Sequence, residues 1–182
     1  MRRFNIVVEG MDGTGKSVLV SALQAAIHTA RVLAFSKNKP ENRQELLLSL
    51  ARDRSEASIE FVNIFDRLSA ISEYIYMDNG GLKFDEVIQE IEDCNIDLIV
   101  WARRPINMCD VTPRSDDPKD VEYNKLLAAR LPDIAVNYEI LMPELMTYMI
   151  NKGKYFEIHS DWTYSVKSML VQKISCLSGL AR

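Results

Sequence analysis

Gly10-Met11-Asp12-Gly13-Thr14-Gly15-Lys16-Ser17 is the stretch whose reading decides the fold. It fits G-x-x-x-x-G-K-[ST], the phosphate-binding P-loop, at every fixed position. Just upstream, Phe4-Asn5-Ile6-Val7-Val8-Glu9 is a short β-branched run, suited to a buried parallel strand. Just downstream, Val18, Leu19, Ala22, Leu23, Ala26 and Ile27 recur with helical spacing. Strand, glycine loop and helix follow one another in the order the motif requires. The glycines let the backbone curl until successive N–H groups point into one concavity that holds phosphate oxygens. The helix starting near Gly15 adds the positive end of its dipole. Lys16 is placed to reach β- and γ-phosphates, and the Ser17 hydroxyl to ligate Mg²⁺. A dinucleotide-binding loop is not expected, because the glycines fall as G-x-x-G-x-G rather than G-x-G-x-x-G.

The rest of the chain continues the same alternation. Arg31 to Ser36 reads as a second strand, ended by Lys37-Asn38-Lys39-Pro40, and a helix runs from Glu41 to about Ala57. Ile59 to Phe65 reads as a third strand leading into Asp66-Arg67, followed by a helix over Ser69 to Met77. Phe84, Val87, Ile88 and Ile91 mark an amphipathic helix that Asn95 ends. Ile96 to Ala102 is near-continuously apolar and so reads as a central strand. The charged, turn-rich segment at about 104–120 has no periodicity and reads as a lid. Helix resumes by Val121. Pro132 is expected to open a separate helix, kinked at Pro143 and ended at Gly153. Lys154 to His159 makes a fifth strand, and Asp161 to Leu177 a last helix. The expected fold is α/β: one domain over 1–182 with a doubly wound five-stranded parallel sheet. Ligands in such sheets bind outside the carboxyl ends of the strands. Glu9, Ser36, Asp66, Arg103 and Asp161 fall there.

Composition narrows the partners. The net charge of −4, with 26% charged residues, argues against general binding to nucleic acid or an anionic membrane. Cys94, Cys109 and Cys176 form no C-x-x-C pair, so neither a disulfide framework nor a zinc site is indicated. His28 and His159 are too scattered for a metal site. The chain enters a strand at once, and no apolar run approaches ~18 residues, so a soluble, cytoplasmic protein is expected.

Asp66, an acid at the end of an apolar strand, is placed to hold Mg²⁺ or its water or to activate an attacking hydroxyl; a surface turn is its bland reading. Arg67 beside it puts positive charge next to a transferring phosphoryl group. Asp53-Arg54-Ser55 has a similar look but ends a polar helix and reads as solvated. Arg103, Arg104 and Arg114 flank or lie within the lid, and Arg103 reads as a finger closing on the phosphates or as a solubilising loop charge. Asp12 is acidic where phosphate must approach, which makes sense if its carboxylate meets a sugar hydroxyl or another acceptor group.

Glu9-Gly10-Met11-Asp12-Gly13-Thr14-Gly15-Lys16-Ser17 resembles the E-G-x-D-x-x-G-K-[ST] opening of thymidylate kinases. Phe65-Asp66-Arg67 followed by Ile71-Ser72-Glu73-Tyr74-Ile75-Tyr76 resembles the Asp-Arg segment shared by thymidylate and deoxynucleoside kinases, and the lid and a late Tyr-containing helix are similar to compact, phage-type members of that group. The resemblance implies transfer of the ATP γ-phosphate to a deoxynucleotide or deoxynucleoside. It implies that Gly10, Gly13, Thr14, Gly15, Lys16, Ser17 and Val18 seat ATP, and that Ser17 and Asp66 serve Mg²⁺. Asp12, Arg67, Ser72 and Tyr76 would meet the acceptor. The chain departs from the pattern in two places. Lys37-Asn38-Lys39-Pro40 stands where thymidylate kinases usually carry Arg-Glu-Pro, and Ser72 lies one residue further from Asp66 than the familiar serine.

A free 5′-hydroxyl needs a carboxylate base, whereas a monophosphate already carries a nucleophilic oxyanion and needs positive charge. Lys37 and Lys39 after the second strand therefore favour a monophosphate acceptor, with thymidylate resting on the resemblance alone. A deoxynucleoside kinase and a P-loop protein that binds or hydrolyses ATP without transfer stay open. N-K-x-D is absent, which argues against a GTPase. The expected partner is a small-molecule nucleotide; whether the chain forms a homodimer is left open.

Overall fold

The structure is a computed structural model that describes residues 3–34, 40, 42–59, 61–76, 81–109, 112, 117–160 and 164–177. Five parallel strands form one sheet: β1 (Phe4–Glu9), β2 (Ala30–Ala34), β3 (Val62–Asp66), β4 (Ile96–Ala102) and β5 (Tyr155–His159). Their spatial order is β2-β3-β1-β4-β5. Among the described residues six α-helices flank them: α1 (Lys16–Ala26), α2 (Arg43–Ala57), α3 (Ser69–Tyr76), α4 (Phe84–Asp93), α5 (Pro118–Asn151) and, after the last strand, α6 (Tyr164–Leu177). β1 is fully buried and central, as its β-branched run requires, and β2 and β5 are the half-covered edges.

Alternation along the strands divides the core in two. Ile6, Val8, Ile64, Leu98 and Val100 face α1 and α6. Val7, Phe65, Ile99 and Trp101 face the helices α2 to α5. Register then sets the site. Val8 stands beside Asp66 on one side and Val100 on the other. Glu9, Asp66-Arg67 and Ala102-Arg103 therefore leave the sheet along one edge, its carboxyl end.

Two expectations change, and a third falls partly outside the described residues. The third strand begins at Val62 rather than Ile59, because Ile59 and Phe61 are exposed and spent in a turn, with Ile59 N–H donating to Glu56 O at 3.3 Å. The second strand is described only to Ala34; Phe35, Ser36, Lys37, Asn38 and Lys39 lie outside the described residues. Most consequentially, α5 is one 34-residue helix that runs through both Pro132 and Pro143. Leu131, Ile134, Tyr138, Leu141, Met142, Leu145 and Met149 are all buried along its inner face. Each such side chain is worth about 1.5–3 kcal/mol when buried, against ~3 kcal/mol for an internal proline, so packing carries the helix through. Both prolines sit on its exposed side. Asp117, whose side chain accepts from Lys119 N–H at 2.9 Å, starts it, and Pro118 occupies its first position.

No described helix is long and apolar enough to cross a membrane. Cys94 is buried, Cys109 half-buried and Cys176 exposed, and all three are unbridged.

Candidate functional site

The P-loop emerges from β1 with the backbone its glycines permit: φ is +75° at Gly13 and +85° at Gly15. Gly10, at φ +151°, passes so close to the end of β4 that a Cβ there would lie 2.5 Å from the Ala102 carbonyl oxygen. Thr14 Oγ1 and Lys16 Nζ both donate to the Met11 carbonyl, at 2.8 and 2.7 Å, which folds the loop over its own lysine. Lys16 is buried, and burial, followed by the nearby Arg67 guanidinium, lowers its pKa to about 7; Asp12, Glu9 and Asp66 oppose this. Ser17 and Val18 are exposed on the first turn of α1.

Arg67 is the hub. It follows β3 directly and adopts φ +77°, a left-handed backbone unusual for a side chain of its size. Its Nη2 donates to Asp12 Oδ1 at 2.7 Å and approaches the Gly10 carbonyl at 3.4 Å, while its Nη1 donates to the Tyr76 hydroxyl at 2.7 Å. The Tyr76 hydroxyl in turn donates to Asp12 Oδ2, also at 2.7 Å, and the guanidinium lies over the Tyr76 ring at 5.2 Å. Arg67, Tyr76 and Asp12 thus close a ring of charge-assisted bonds. Burial alone would raise the Asp12 pKa, but Arg67, Lys16 and the bonds from Tyr76 and Arg67 outweigh it and hold the carboxyl below its ordinary range. Tyr76 and Tyr138 are both pushed up, foremost by burial, so both remain neutral donors.

Behind the ring stands Glu9, fully buried. Its Oε1 accepts from Leu68 N–H at 2.9 Å, and the Tyr138 hydroxyl reaches its Oε2 at 3.0 Å and the Gly10 carbonyl at 2.9 Å. Burial raises the Glu9 pKa, opposed first by Arg67. From the same helix, Asn137 Nδ2 donates to Ile75 O at 2.6 Å and Arg130 Nη2 to Tyr76 O at 2.8 Å, fixing the end of α3 that carries Tyr76.

Of the residues singled out in the sequence, Asp12, Lys16, Arg67 and Tyr76 meet in this cluster, with the P-loop glycines, Thr14, Ser17 and Asp66 around it. Ser72 lies one turn before Tyr76 on α3, buried, with an Oγ that finds no hydrogen-bond partner among the described residues. Arg103 is directed elsewhere: its guanidinium forms a two-pronged pair with Glu139 on α5, at 2.8 and 3.0 Å, and lies 5.2 Å over Trp101. Lys37, Lys39 and Arg114 lie outside the described residues. Asp53 is not solvated. It is 5% exposed, its Oδ2 accepts from Ser69 N–H at 2.9 Å at the start of α3, and Arg52 pairs with its Oδ1 at 3.2 Å. The polar composition of α2 hid that inward-facing carboxylate. A cavity of about 170 Å³ between β2, α2 and β3 is lined by Leu33, Ala34, Arg52, Asp53, Phe65 and Arg67 among others. Glu9, although placed at the carboxyl end of the sheet, was given no role, and Tyr138 was missed. A carboxylate closing an otherwise apolar strand, and a tyrosine at a core-facing helical position, were the available signals.

No protein-family model and no curated protein matches the chain. Solved structures do. The chain is similar to the deoxyadenosine kinase of M. mycoides with dCMP and dCDP bound, at 13% identity and TM-score 0.53 over 98% of this chain and 100% of that one. It is similar to the YorR protein of Bacillus subtilis in complex with phosphorylated GDP, at 16% identity and TM-score 0.62 over 97% and 96%. It is also similar to the thymidylate kinase of Candida albicans, at 12% identity and TM-score 0.57 over 99% and 94%. With its parallel five-stranded sheet, flanking helices and glycine loop at the end of β1, the chain has the fold of the P-loop nucleoside and nucleotide kinases.

Proposed function

We propose that this chain is a single-domain, ATP-dependent deoxynucleoside monophosphate kinase, with dTMP its first-choice acceptor, dTDP its product and a lid at about 104–120. The observation that carries the reading is the ring of Arg67, Asp12 and Tyr76 beside Lys16. Phosphoryl transfer asks little covalent chemistry of a protein and much positioning and positive charge. Arg67 supplies a fixed cation next to the loop lysine. Asp12, ionised and held from two sides, offers an oriented acceptor for a sugar hydroxyl. Tyr76 and Ser72 stand on the same helix for the acceptor's sugar or base, and Lys37 is assigned to its phosphate.

Gly10, Gly13, Thr14, Gly15, Lys16, Ser17 and Val18 are the proposed seat of ATP. The Ser17 hydroxyl and the Asp66 carboxylate are hard oxygen donors that suit Mg²⁺, an ion that offsets phosphate charge. Arg103, held by Glu139, acts in this reading only after leaving that partner.

The runner-up, a deoxynucleoside kinase, needs a carboxylate to take a 5′-hydroxyl proton. Two carboxylates lining the cavity beside Arg67 are already engaged: Asp53 at the start of α3, and Glu56 with Arg31 at 2.6 Å. That favours the monophosphate.

ADP production with Mg·ATP against deoxynucleoside monophosphates, deoxynucleosides and a no-acceptor blank tests the reading. Stimulation by monophosphates, dTMP above the rest, is expected. Stimulation by nucleosides alone replaces it with the runner-up. An acceptor-independent rate, or none at all, makes the chain an ATPase or a nucleotide-binding protein.

A further inference from the structure

We infer that Glu9 and Tyr138 are positioning residues of this site: together they clamp the backbone around Arg67 and so aim its guanidinium at Asp12. A non-glycine residue at positive φ costs about 1–3 kcal/mol and persists only where its surroundings hold it. At Arg67 the hold comes from two consecutive residues of β1. The Arg67 N–H donates to the Val8 carbonyl at 3.1 Å, and the next amide, Leu68 N–H, donates to Glu9 Oε1 at 2.9 Å. Both peptide planes flanking Arg67 are therefore tied to the strand that also launches the P-loop.

Tyr138 completes the clamp from α5. Its hydroxyl touches the second Glu9 oxygen and the Gly10 carbonyl, the same carbonyl that Arg67 Nη2 approaches. A hydroxyl has one proton for these two acceptors. Either it is shared between them, or Glu9 carries a proton of its own, donates it to Tyr138, and leaves the hydroxyl to serve Gly10. Burial, which raises the Glu9 pKa, favours the second arrangement. In both, no bond among the described residues joins Glu9 to the loop's open face. Its carboxylate is enclosed by Leu68, Tyr138 and the neighbouring guanidinium, so its role is exercised through Arg67. The catalytic consequence rests on the kinase reading above; the geometric one does not.

The test pairs kinetics with a direct view of Arg67. Tyr138→Phe removes one O–H and keeps the ring's packing. Glu9→Gln keeps an acceptor for Leu68, whereas Glu9→Ala does not. For Tyr138→Phe and Glu9→Ala, kcat should fall roughly ten- to a hundredfold, as small misplacements of catalytic groups do, with the KM for ATP nearly unchanged. In ¹⁵N-edited spectra the Arg67 side-chain signal should move in both variants, and Glu9→Gln should restore most of its position and of kcat. Melting temperatures show which variants are folded; if Tyr138→Phe is not, the Glu9→Gln and Glu9→Ala comparison decides alone. A kcat at the wild-type level, or a loss of kcat with the Arg67 signal unmoved, overturns the inference. Should the wild type show no acceptor-dependent transfer, the kinase reading fails on its own, and the Arg67 signal still decides the clamp.

Discussion

Arg67 and Asp12 meet at 2.7 Å although 55 residues separate them in the chain, and the Arg67 side chain that makes the bond is 10% exposed while that of Asp12 is 32% exposed. The cation is buried and the anion looks outward. Removing Arg67 should therefore damage what happens at the phosphates more than what holds the nucleotide. Arg67→Ala is expected to lower kcat roughly a hundredfold or more, with a smaller change in ATP affinity. Steady-state kinetics beside direct ATP binding separates the two; equal losses would make Arg67 a binding residue only.

Asp12→Asn keeps the size of the side chain and gives up its charge. The acceptor KM should rise while ATP binding stays near the wild-type level, because no described bond joins Asp12 to the P-loop backbone. An unchanged acceptor KM would remove Asp12 from the acceptor's side of the site.

Lys16→Ala should abolish transfer by removing the charge at the β- and γ-phosphates. Undiminished turnover would refute the P-loop assignment. The native lysine also predicts a pH dependence. In the free protein its pKa lies at about 7, lowered first by burial and then by Arg67. Bound phosphates would favour the charged form and raise that pKa. From about 7 upward, binding then takes up a proton, so ATP affinity should fall as pH rises above that value. Isothermal titration in two buffers of different ionisation enthalpy reads that proton uptake directly.

Gly10→Ala forces a Cβ to 2.5 Å from the Ala102 carbonyl, at a φ that side chains rarely adopt. Backbone cannot yield as a side-chain tip can. The expected cost is about 2 kcal/mol or more of stability, read by chemical denaturation. Asp53→Ala should cost less, about 0.5–2 kcal/mol, through the lost bond to Ser69 N–H at the start of α3. A melting temperature equal to that of the wild type would show that this bond contributes nothing.

The readable parts of the chain were those fixed by neighbours in sequence. The P-loop and the apolar run of β4 were legible because glycine placement and near-continuous apolar character are local signals. Pro132 misled because its local tendency to start a helix was outweighed by the buried row from Leu131 to Met149. Asp53 misled because the composition of α2 says nothing of which side of it faces inward. The bond from Tyr138 to Glu9 joins residues 129 apart, and no pattern within either segment announces it. Asp66-Arg67 was found by its place after an apolar strand, but the left-handed turn of Arg67 depends on β1 and was invisible.

That same separation sets an order of events. Loop closure grows costlier with chain length, and contacts between distant segments form after local ones. β1, the P-loop and α1 are made before α5 during synthesis, and the Glu9 carboxylate receives its α5 partner only when residue 138 has emerged. A nascent chain halted before α5 would hold a glycine loop without the hydroxyl that reaches both Glu9 and Gly10, and without the donors that tie down the end of α3. The final placement of Arg67 and Tyr76 should therefore mark the late steps of maturation, although every residue of the loop itself leaves the ribosome before α5 does.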